Sequence, residues 1–225
     1  MRTPASAALR SAAVPLTTAL ALAFAIVLGG IVSTSAGAQS KEMSPALDSV
    51  RASLARYEDP LVAVHDGYLS TVGCIAFPKS SATAEMTHGP DAHGNMGYKP
   101  GAMGVHFLNP NLISATPDPT KPNVLLYEPV GNKLKLVGAE WFVPLATGVK
   151  ERPTLFGHPF DGPMEGHQPI MPAGLTHYDL HVWLFKNNPY GMFVATNPDV
   201  KCGKYQYTTN EGAPRIVKTA EAPER

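Results

Sequence analysis

The stretch of sequence that says most about the fold is His177-Tyr-Asp-Leu-His-Val-Trp-Leu-Phe185. Every second residue in it, from Tyr178 to Leu184, is apolar or aromatic. Successive side chains of a β-strand point to opposite faces of the sheet, so this alternation predicts a strand over 177–186 with one face in the core. The other face carries His177, Asp179, His181, Trp183 and Phe185. Polar groups in aromatic surroundings are typical of a pocket, and we predict that Trp183 and Phe185 form its wall.

Further strands are predicted on both sides of this stretch. Short apolar segments at 105–108, 124–128 and 134–143 have strand character, and Pro129-Val-Gly-Asn132 between the last two is typical of a hairpin turn. The turn signal Asn188-Pro-Tyr-Gly191 predicts an antiparallel return strand over 192–195. The strands therefore form a mainly antiparallel sheet.

Two helix start signals precede the strands. Ser44-Pro45 and Asp59-Pro60 each combine an N-cap residue with a first-turn proline, and apolar residues recur at helical spacing after both. The second apolar stripe is expected to continue through Val72. Long segments rich in proline and glycine, 78–103 and 144–176, are expected to be ordered loops. The sequence thus predicts an α+β domain, with two short N-terminal helices on a mainly antiparallel sheet.

The first 38 residues are typical of a secretory signal peptide. They contain Arg2, Arg10 and no acidic residue, and an apolar run over about 12–32 ends in the small residues Ala36 and Ala38. The alternative is an uncleaved membrane anchor, because about 20 apolar residues can span a bilayer. We favour cleavage near Ala38 and export to the periplasm or the extracellular space. Residues 39–208 are then a single domain and 209–225 a loose tail.

Composition excludes several partners. Without Arg2 and Arg10, 16 of the 18 basic residues remain against 18 acidic ones, a formal charge of −2 with histidine neutral. Nucleic acids and anionic membranes bind proteins that carry an excess of positive charge, and the mature chain has no such excess. We therefore expect no nucleic-acid partner and, after signal cleavage, no membrane partner. No glycine-rich loop has the strand–loop–helix context that phosphates require, so no nucleotide cofactor is expected.

The chain has two cysteines, Cys74 and Cys202. In an oxidising compartment an even number of cysteines usually indicates a bridge. We predict a disulfide that closes a loop of about 130 residues and contributes roughly 5 kcal/mol in the chain-entropy model. The alternative is a pair of metal-binding or redox thiols, although the sequence has no C-x-x-C motif.

Strand spacing limits which residues could share a metal ion. Residues two apart lie roughly 6.6 Å apart and residues four apart roughly 13 Å, so Asp179 can share an ion with His177 or His181, but the two histidines cannot easily share one. His106 and Glu140 are ionisable residues inside apolar strands, where burial is costly unless the group is paired or metal-bound. We predict that His106, Glu140 and His181 converge as ligands for Zn, Mn or Fe.

Other polar residues are candidates for supporting roles. Asp179, His177 and His167 could act as acid–base groups or orient the metal ligands. His88 and His93 lie in the glycine-rich loop and are weaker candidates.

Five segments carry a resemblance to a known group of proteins. They are Gly101-Ala-Met-Gly-Val-His-Phe-Leu-Asn-Pro110, Leu126-Tyr-Glu-Pro129, Leu136-Val-Gly-Ala-Glu-Trp141, His177-Tyr-Asp-Leu-His-Val-Trp183 and Asn188-Pro-Tyr-Gly-Met-Phe193. Together they resemble exported bacterial proteins of uncharacterised function over roughly 57–202. The resemblance implies a bacterial origin and a shared fold, and it implies no activity.

Three hypotheses for function remain open. The first is an exported metal-dependent enzyme that acts on a small molecule through the His/Glu ligands. The second is a non-catalytic periplasmic module that holds a small ligand against Trp183 and Phe185. The third is an oligomeric structural module in which Glu140 pairs with His106 or Arg152 and the polar cluster has no chemistry. The residues alone do not decide whether the protein is an enzyme.

Overall fold

A computed structural model describes residues 43–77, 96–167, 171–203, 205, 207–210 and 214–217. All of them belong to the unit Thr34–Arg225. The segment expected to be the signal peptide, the loop with His88 and His93, and most of the C-terminal tail lie outside the described residues. The predictions for these segments stay predictions.

Strands outnumber helices in the regular secondary structure of the described chain. The strands are β1 (Leu69–Phe77), β2 (Gly101–Leu108), β3 (Val124–Val130), β4 (Lys133–Pro144), β5 (Thr154–Leu155), β6 (His158–Pro159), β7 (Asp161–Met164), β8 (His177–Val182) and β9 (Thr208–Asn210). Seven of them form one curled sheet in the order β7-β8-β4-β3-β2-β1-β9, and β5 pairs with β6 separately. All pairs in the large sheet are antiparallel except β1 with β9. The α+β class with a mainly antiparallel sheet is therefore confirmed.

In the described part of the chain, two short α-helices precede the sheet. The first, α1 (Pro45–Leu54), begins after Ser44, whose side chain accepts a hydrogen bond from the amide of Leu47. The second, α2 (Pro60–His65), begins after Asp59, which accepts from the amide of Leu61. The apolar stripe of α1 is buried in the core against the sheet; its residues are Leu47, Val50 and Leu54.

The second apolar stripe does not continue as a helix, so that part of the prediction is wrong. The helix α2 ends at His65, and Gly67 follows with a positive φ of 93°. A left-handed glycine commonly ends a helix because it has no Cβ to clash. The chain then enters β1, which contains Val72.

The predicted strands are present with shifted ends. The hairpin turn joins β3 to β4, and Val130 pairs with Lys133 across it. Residues 192–195 do not form a strand, although the amide of Trp183 donates to the carbonyl of Met192 at 2.9 Å. The segment 144–176 is not one continuous loop, because β5, β6 and β7 lie within it.

A disulfide joins Cys74 in β1 to Cys202 near the C-terminal strand, and both cysteines are buried. This confirms the predicted bridge and excludes the reading of the two cysteines as free thiols. None of the helices in the described part of the chain is long and apolar enough to cross a membrane.

Candidate metal centre

One face of the sheet carries a cavity of about 200 Å³. Strands β1, β2, β3, β4 and β8 supply part of its wall, and the segment between β7 and β8 supplies the rest. Its lining residues are Thr71, Ile75, Met103, His106, Leu108, Val124, Glu140, Phe142, His167, Met171, Pro172, Leu175, His177, Asp179 and His181. The wall is apolar except for Thr71 and a cluster of four histidines and two carboxylates.

Strand register brings the polar residues together. Glu140 in β4 pairs directly with His181 in β8, and Phe142 pairs with Asp179. Residues opposite each other in a ladder share a face of the sheet, so all four side chains point to the cavity. His106 lies in β2, opposite Leu126 of the intervening strand β3, and its ring reaches over β3 to the carboxylate of Glu140.

His106, Glu140 and His181 form the first cluster, named here the Glu140 triad. One carboxylate oxygen of Glu140, Oε2, lies 3.3 Å from Nε2 of His106 and 3.5 Å from Nε2 of His181. The three donor atoms lie within 4.8 Å of one another. Ligand atoms bound at about 2.0–2.1 Å to a tetrahedral zinc ion are roughly 3.3 Å apart. The triad therefore has the spacing of a metal site, and these three residues, of which Glu140 and His181 are buried and His106 is half-buried, could hold an ion.

His167, His177 and Asp179 form the second cluster, named here the Asp179 triad, whose donor atoms also lie within 4.8 Å of one another. Nε2 of His177 lies 3.5 Å from Oδ2 of Asp179, and its Nδ1 lies 3.2 Å from the carbonyl oxygen of Leu175. The rings of His167 and His177 have centroids 5.3 Å apart.

The two triads are joined through one contact. Oδ1 of Asp179 lies 3.7 Å from Nδ1 of His181, whose other nitrogen faces Glu140. Imidazoles and carboxylates therefore alternate without interruption from His106 through Glu140, His181 and Asp179 to His177. A carboxylate at the free ring nitrogen of a metal-binding histidine commonly holds that ring in orientation, and Asp179 is placed to do so for His181.

Charges within the cluster set its protonation. Burial raises the pKa of Glu140, but the cationic ring of His181 and the nearby His106 outweigh burial, and the pKa of Glu140 falls below its ordinary value. Burial likewise opposes ionisation of Asp179, while His177 and His181 lower its pKa. For His181, burial disfavours the cation, but Glu140 and Asp179 raise its pKa to about 9. In the absence of an ion, a protonated His181 lies between two carboxylates.

Several polar atoms of the cluster lie within ion-pair distance of one another but do not form hydrogen bonds. Among the described residues, no hydrogen-bond partner meets either ring nitrogen of His181, Oε2 of Glu140 or Oδ1 of Asp179. His181 is 1% exposed and Asp179 is 2% exposed. Unpaired buried polar atoms cost about 1–3 kcal/mol each, and an ion between them would remove part of this cost.

The remaining predicted site residues lie elsewhere. Trp183 donates its indole N–H to the carbonyl of Val194, and Phe185 lines a surface groove with Arg51. Strand β8 ends at Val182, so the alternation does not carry either aromatic residue to the cavity. Their predicted place in the wall beside the histidines is wrong. Arg152 donates to the carbonyl of Gly162.

Asp161 is a further carboxylate near the cluster that was not predicted from the sequence. This buried residue pairs in register with Asp179 across β7 and β8, and its charge helps to raise the pKa of His181. The signal was present in the sequence, because Asp161 follows Phe160 and lies three residues before Met164. It is an ionisable residue among buried apolar ones, as Glu140 is.

No family model, curated protein or solved structure matches this chain. What the fold and the cavity define is a class of domain: a mainly antiparallel sheet with buried histidine–carboxylate clusters that could hold metal ions.

Proposed function

We propose that the protein is a metal-dependent enzyme that binds a divalent transition-metal ion at the Glu140 triad and acts on a small molecule in the adjoining cavity. One observation carries the proposal. Donor atoms from three different strands converge within 4.8 Å at the wall of an apolar cavity. Strands of a sheet are rigid supports, so the donor geometry is set before an ion arrives.

The donor set favours a catalytic site over a structural one. Two imidazoles and one carboxylate suit Zn, Mn or Fe. Structural zinc sites are closed by four protein ligands, whereas catalytic sites have three and leave a position for water or substrate. The triad has three donors and faces the cavity. A bound ion would act there as a Lewis acid towards an oxygen of the bound molecule.

The cavity limits the size and character of that molecule. Its volume is about 200 Å³, and an engineered apolar cavity of about 150 Å³ binds benzene. Its apolar wall includes Leu108, Val124, Phe142 and Leu175. The expected substrate is therefore a small, mostly apolar molecule with one polar group that reaches the ion.

Metal analysis tests the site. The purified, disulfide-intact protein is stripped with a chelator, loaded separately with Zn²⁺, Mn²⁺ and Fe²⁺, and assayed by elemental analysis and calorimetry. His106→Ala and His181→Ala should each lose at least one equivalent of bound metal. The matched control is His65→Ala, because the side chain of His65 is 87% exposed and lies on α2. A wild-type protein that binds none of the three ions would overturn the proposal.

Turnover separates the enzyme from the binding module. The metal-loaded protein is incubated with small aliphatic and aromatic esters, aldehydes and alcohols, and products are followed by proton NMR. Conversion that disappears in His106→Ala but not in His65→Ala supports an enzyme. Metal-dependent binding without conversion across the panel supports the non-catalytic module instead.

We also propose that the domain acts after export. The buried disulfide between Cys74 and Cys202 supports this, because such bonds persist in oxidising compartments. Mass spectrometry of the protein recovered from a bacterial periplasm or medium should give an N-terminus at Gln39. Recovery of the uncut chain in the membrane fraction would favour the anchor.

A further inference from the structure

We infer that the Asp179 triad is a second metal site, so that the cavity takes two divalent transition-metal ions, one at each triad. The two donor sets share no residue, and the second site stands on its own geometry. The inference rests on the proposed function only in placing both ions at one substrate cavity.

The surroundings of His177 fit a metal ligand. Its Nδ1 lies 3.2 Å from the carbonyl oxygen of Leu175, and its Nε2 lies 3.5 Å from Oδ2 of Asp179. A backbone carbonyl at one ring nitrogen of a histidine commonly orients the other nitrogen towards a metal ion. His167 would supply the third ligand, since one donor atom from each of the three residues lies within 4.8 Å of the others.

The third donor of this site is held in place by its loop. Backbone hydrogen bonds fix the segment at Glu165, whose amide donates to Arg215, and at Gly166, whose amide donates to Ala173. A Cβ on Gly166 would lie 2.0 Å from the carbonyl oxygen of Pro172, so only glycine permits this close return of the chain. The loop thereby delivers His167 to His177, and the His167 side chain is buried.

The two sites have matching chemistry. Each triad offers two imidazole nitrogens and one carboxylate oxygen in buried surroundings, so both should take ions of the Zn, Mn and Fe group. Asp179 connects them, since Oδ2 faces His177 of its own triad and Oδ1 faces His181 of the other. Asp179→Asn should therefore abolish the second site and weaken the first by about 10–100-fold, the usual effect of losing an orienting carboxylate.

Stoichiometry tests the inference. The stripped protein is titrated with Co²⁺ alone and Zn²⁺ alone, and bound metal is measured by elemental analysis together with the visible spectrum of Co²⁺. The wild type and the exposed control His65→Ala should bind two equivalents. His177→Ala and His106→Ala should each bind one, and the double variant none.

The outcomes separate the two proposals. If His177→Ala keeps the full wild-type stoichiometry while His106→Ala loses one equivalent, the second site is overturned and the Glu140 site stands. If His106→Ala loses nothing and His177→Ala loses one equivalent, the Glu140 site fails and the metal site at the Asp179 triad stands. A wild type that binds one equivalent only, lost in His106→Ala, also overturns the inference.

Folding is controlled with a substitution outside the sheet. His167→Gln changes a loop residue of the Asp179 triad and leaves every strand side chain intact. It should also bind one equivalent and keep the circular dichroism spectrum of the wild type. Two equivalents in this folded variant would contradict a site that includes His167.

Discussion

At the scale of single residues, Asn123 shows how one buried amide supports the site. Its Oδ1 accepts from the amide of Phe142 at 2.8 Å, and its Nδ2 donates to the carbonyl of Phe142 at 2.7 Å. Phe142 pairs with Asp179 across β4 and β8. Asn123 therefore satisfies both backbone groups of a residue that lies beside the histidine–carboxylate cluster.

We expect Asn123→Ala to lower the free energy of unfolding by about 2–4 kcal/mol, because two buried backbone groups lose their partners at about 1–3 kcal/mol each. Urea denaturation followed by tryptophan fluorescence measures the change. Asn132→Ala, in the exposed β3–β4 turn, should stay within about 0.5 kcal/mol of the wild type. A loss below 1 kcal/mol in Asn123→Ala would show that other groups replace the amide.

Glu140 allows a sharper test of charge in the cavity. Glu140→Gln keeps the side-chain size but removes the negative charge between two histidines, so Zn²⁺ affinity at this triad should fall by more than about 100-fold, beyond the effect of losing an orienting residue. Calorimetric titration of the stripped protein measures it. Glu128→Gln is the matched control, since Glu128 is also buried but pairs with Lys186 at 2.7 Å. Equal affinity in the two variants would remove Glu140 from the ligand set.

Single residues were the most predictable part of the candidate site. His106 and Glu140 could be selected because an ionisable group among apolar strand residues needs a partner. Their convergence with His181 depends on how the strands pair with one another. The residue pattern of one strand alone does not determine this pairing. The grouping of His167 with His177 could not be predicted, because it depends on how an irregular loop returns over the sheet.

At the scale of elements, Gly138 sets the distance between β4 and the end of β8. A Cβ at this position would lie 2.6 Å from the carbonyl oxygen of Val182 and 3.4 Å from Cα of Trp183. The neighbouring residues Glu140 and His181 form the direct pair of the Glu140 triad. The close approach therefore helps to position the side chains of Glu140 and His181, the proposed metal ligands.

We expect Gly138→Ala to lower the free energy of unfolding by about 1–3 kcal/mol, the usual cost of overpacking, and to weaken Zn²⁺ binding because β8 is pushed away from β4. Denaturant titration and calorimetry give the two values. Gly174→Ala is the control, since an added Cβ there meets nothing within 4 Å. Unchanged metal affinity in a destabilised Gly138→Ala would separate the packing at this glycine from the site.

Strands in which apolar and polar residues alternate regularly could be predicted from the sequence, and strands without this alternation could not. Alternation identified β8, and the hairpin turn identified β3 and β4. The short strands β5, β6 and β7 were missed because prolines and glycines interrupt their pattern, and their pairing is decided by tertiary contacts. The end of β8 was missed because Trp183 and Leu184 continue the apolar alternation after the ladder has ended.

At the scale of the whole molecule, the sequence indicated the fold class, the disulfide and a pocket on the polar face of 177–185, but not the loop that covers this pocket. An α+β class follows from helix caps before alternating strands. The cavity exists because Met171, Pro172 and Leu175 cover one face of the sheet. The residues of this covering loop follow no regular apolar–polar repeat. Neither the path of the loop nor the burial of the polar face of β8 beneath it could therefore be predicted from the sequence.

The disulfide is the covalent link of widest sequence span in the described chain, since Cys74 and Cys202 are 128 positions apart. In the chain-entropy model a loop of this length contributes about 5 kcal/mol, so reduction should lower the free energy of unfolding by an amount of that order. Guanidinium denaturation with and without a phosphine reductant measures this difference in the free energy of unfolding. The double variant Cys74→Ala/Cys202→Ala should be as stable as the reduced wild type, and the reductant should not change its stability. Neither cysteine lines the cavity. Metal stoichiometry should therefore be the same in the reduced, still-folded protein, and its loss would mean that closing the chain also shapes the metal centre.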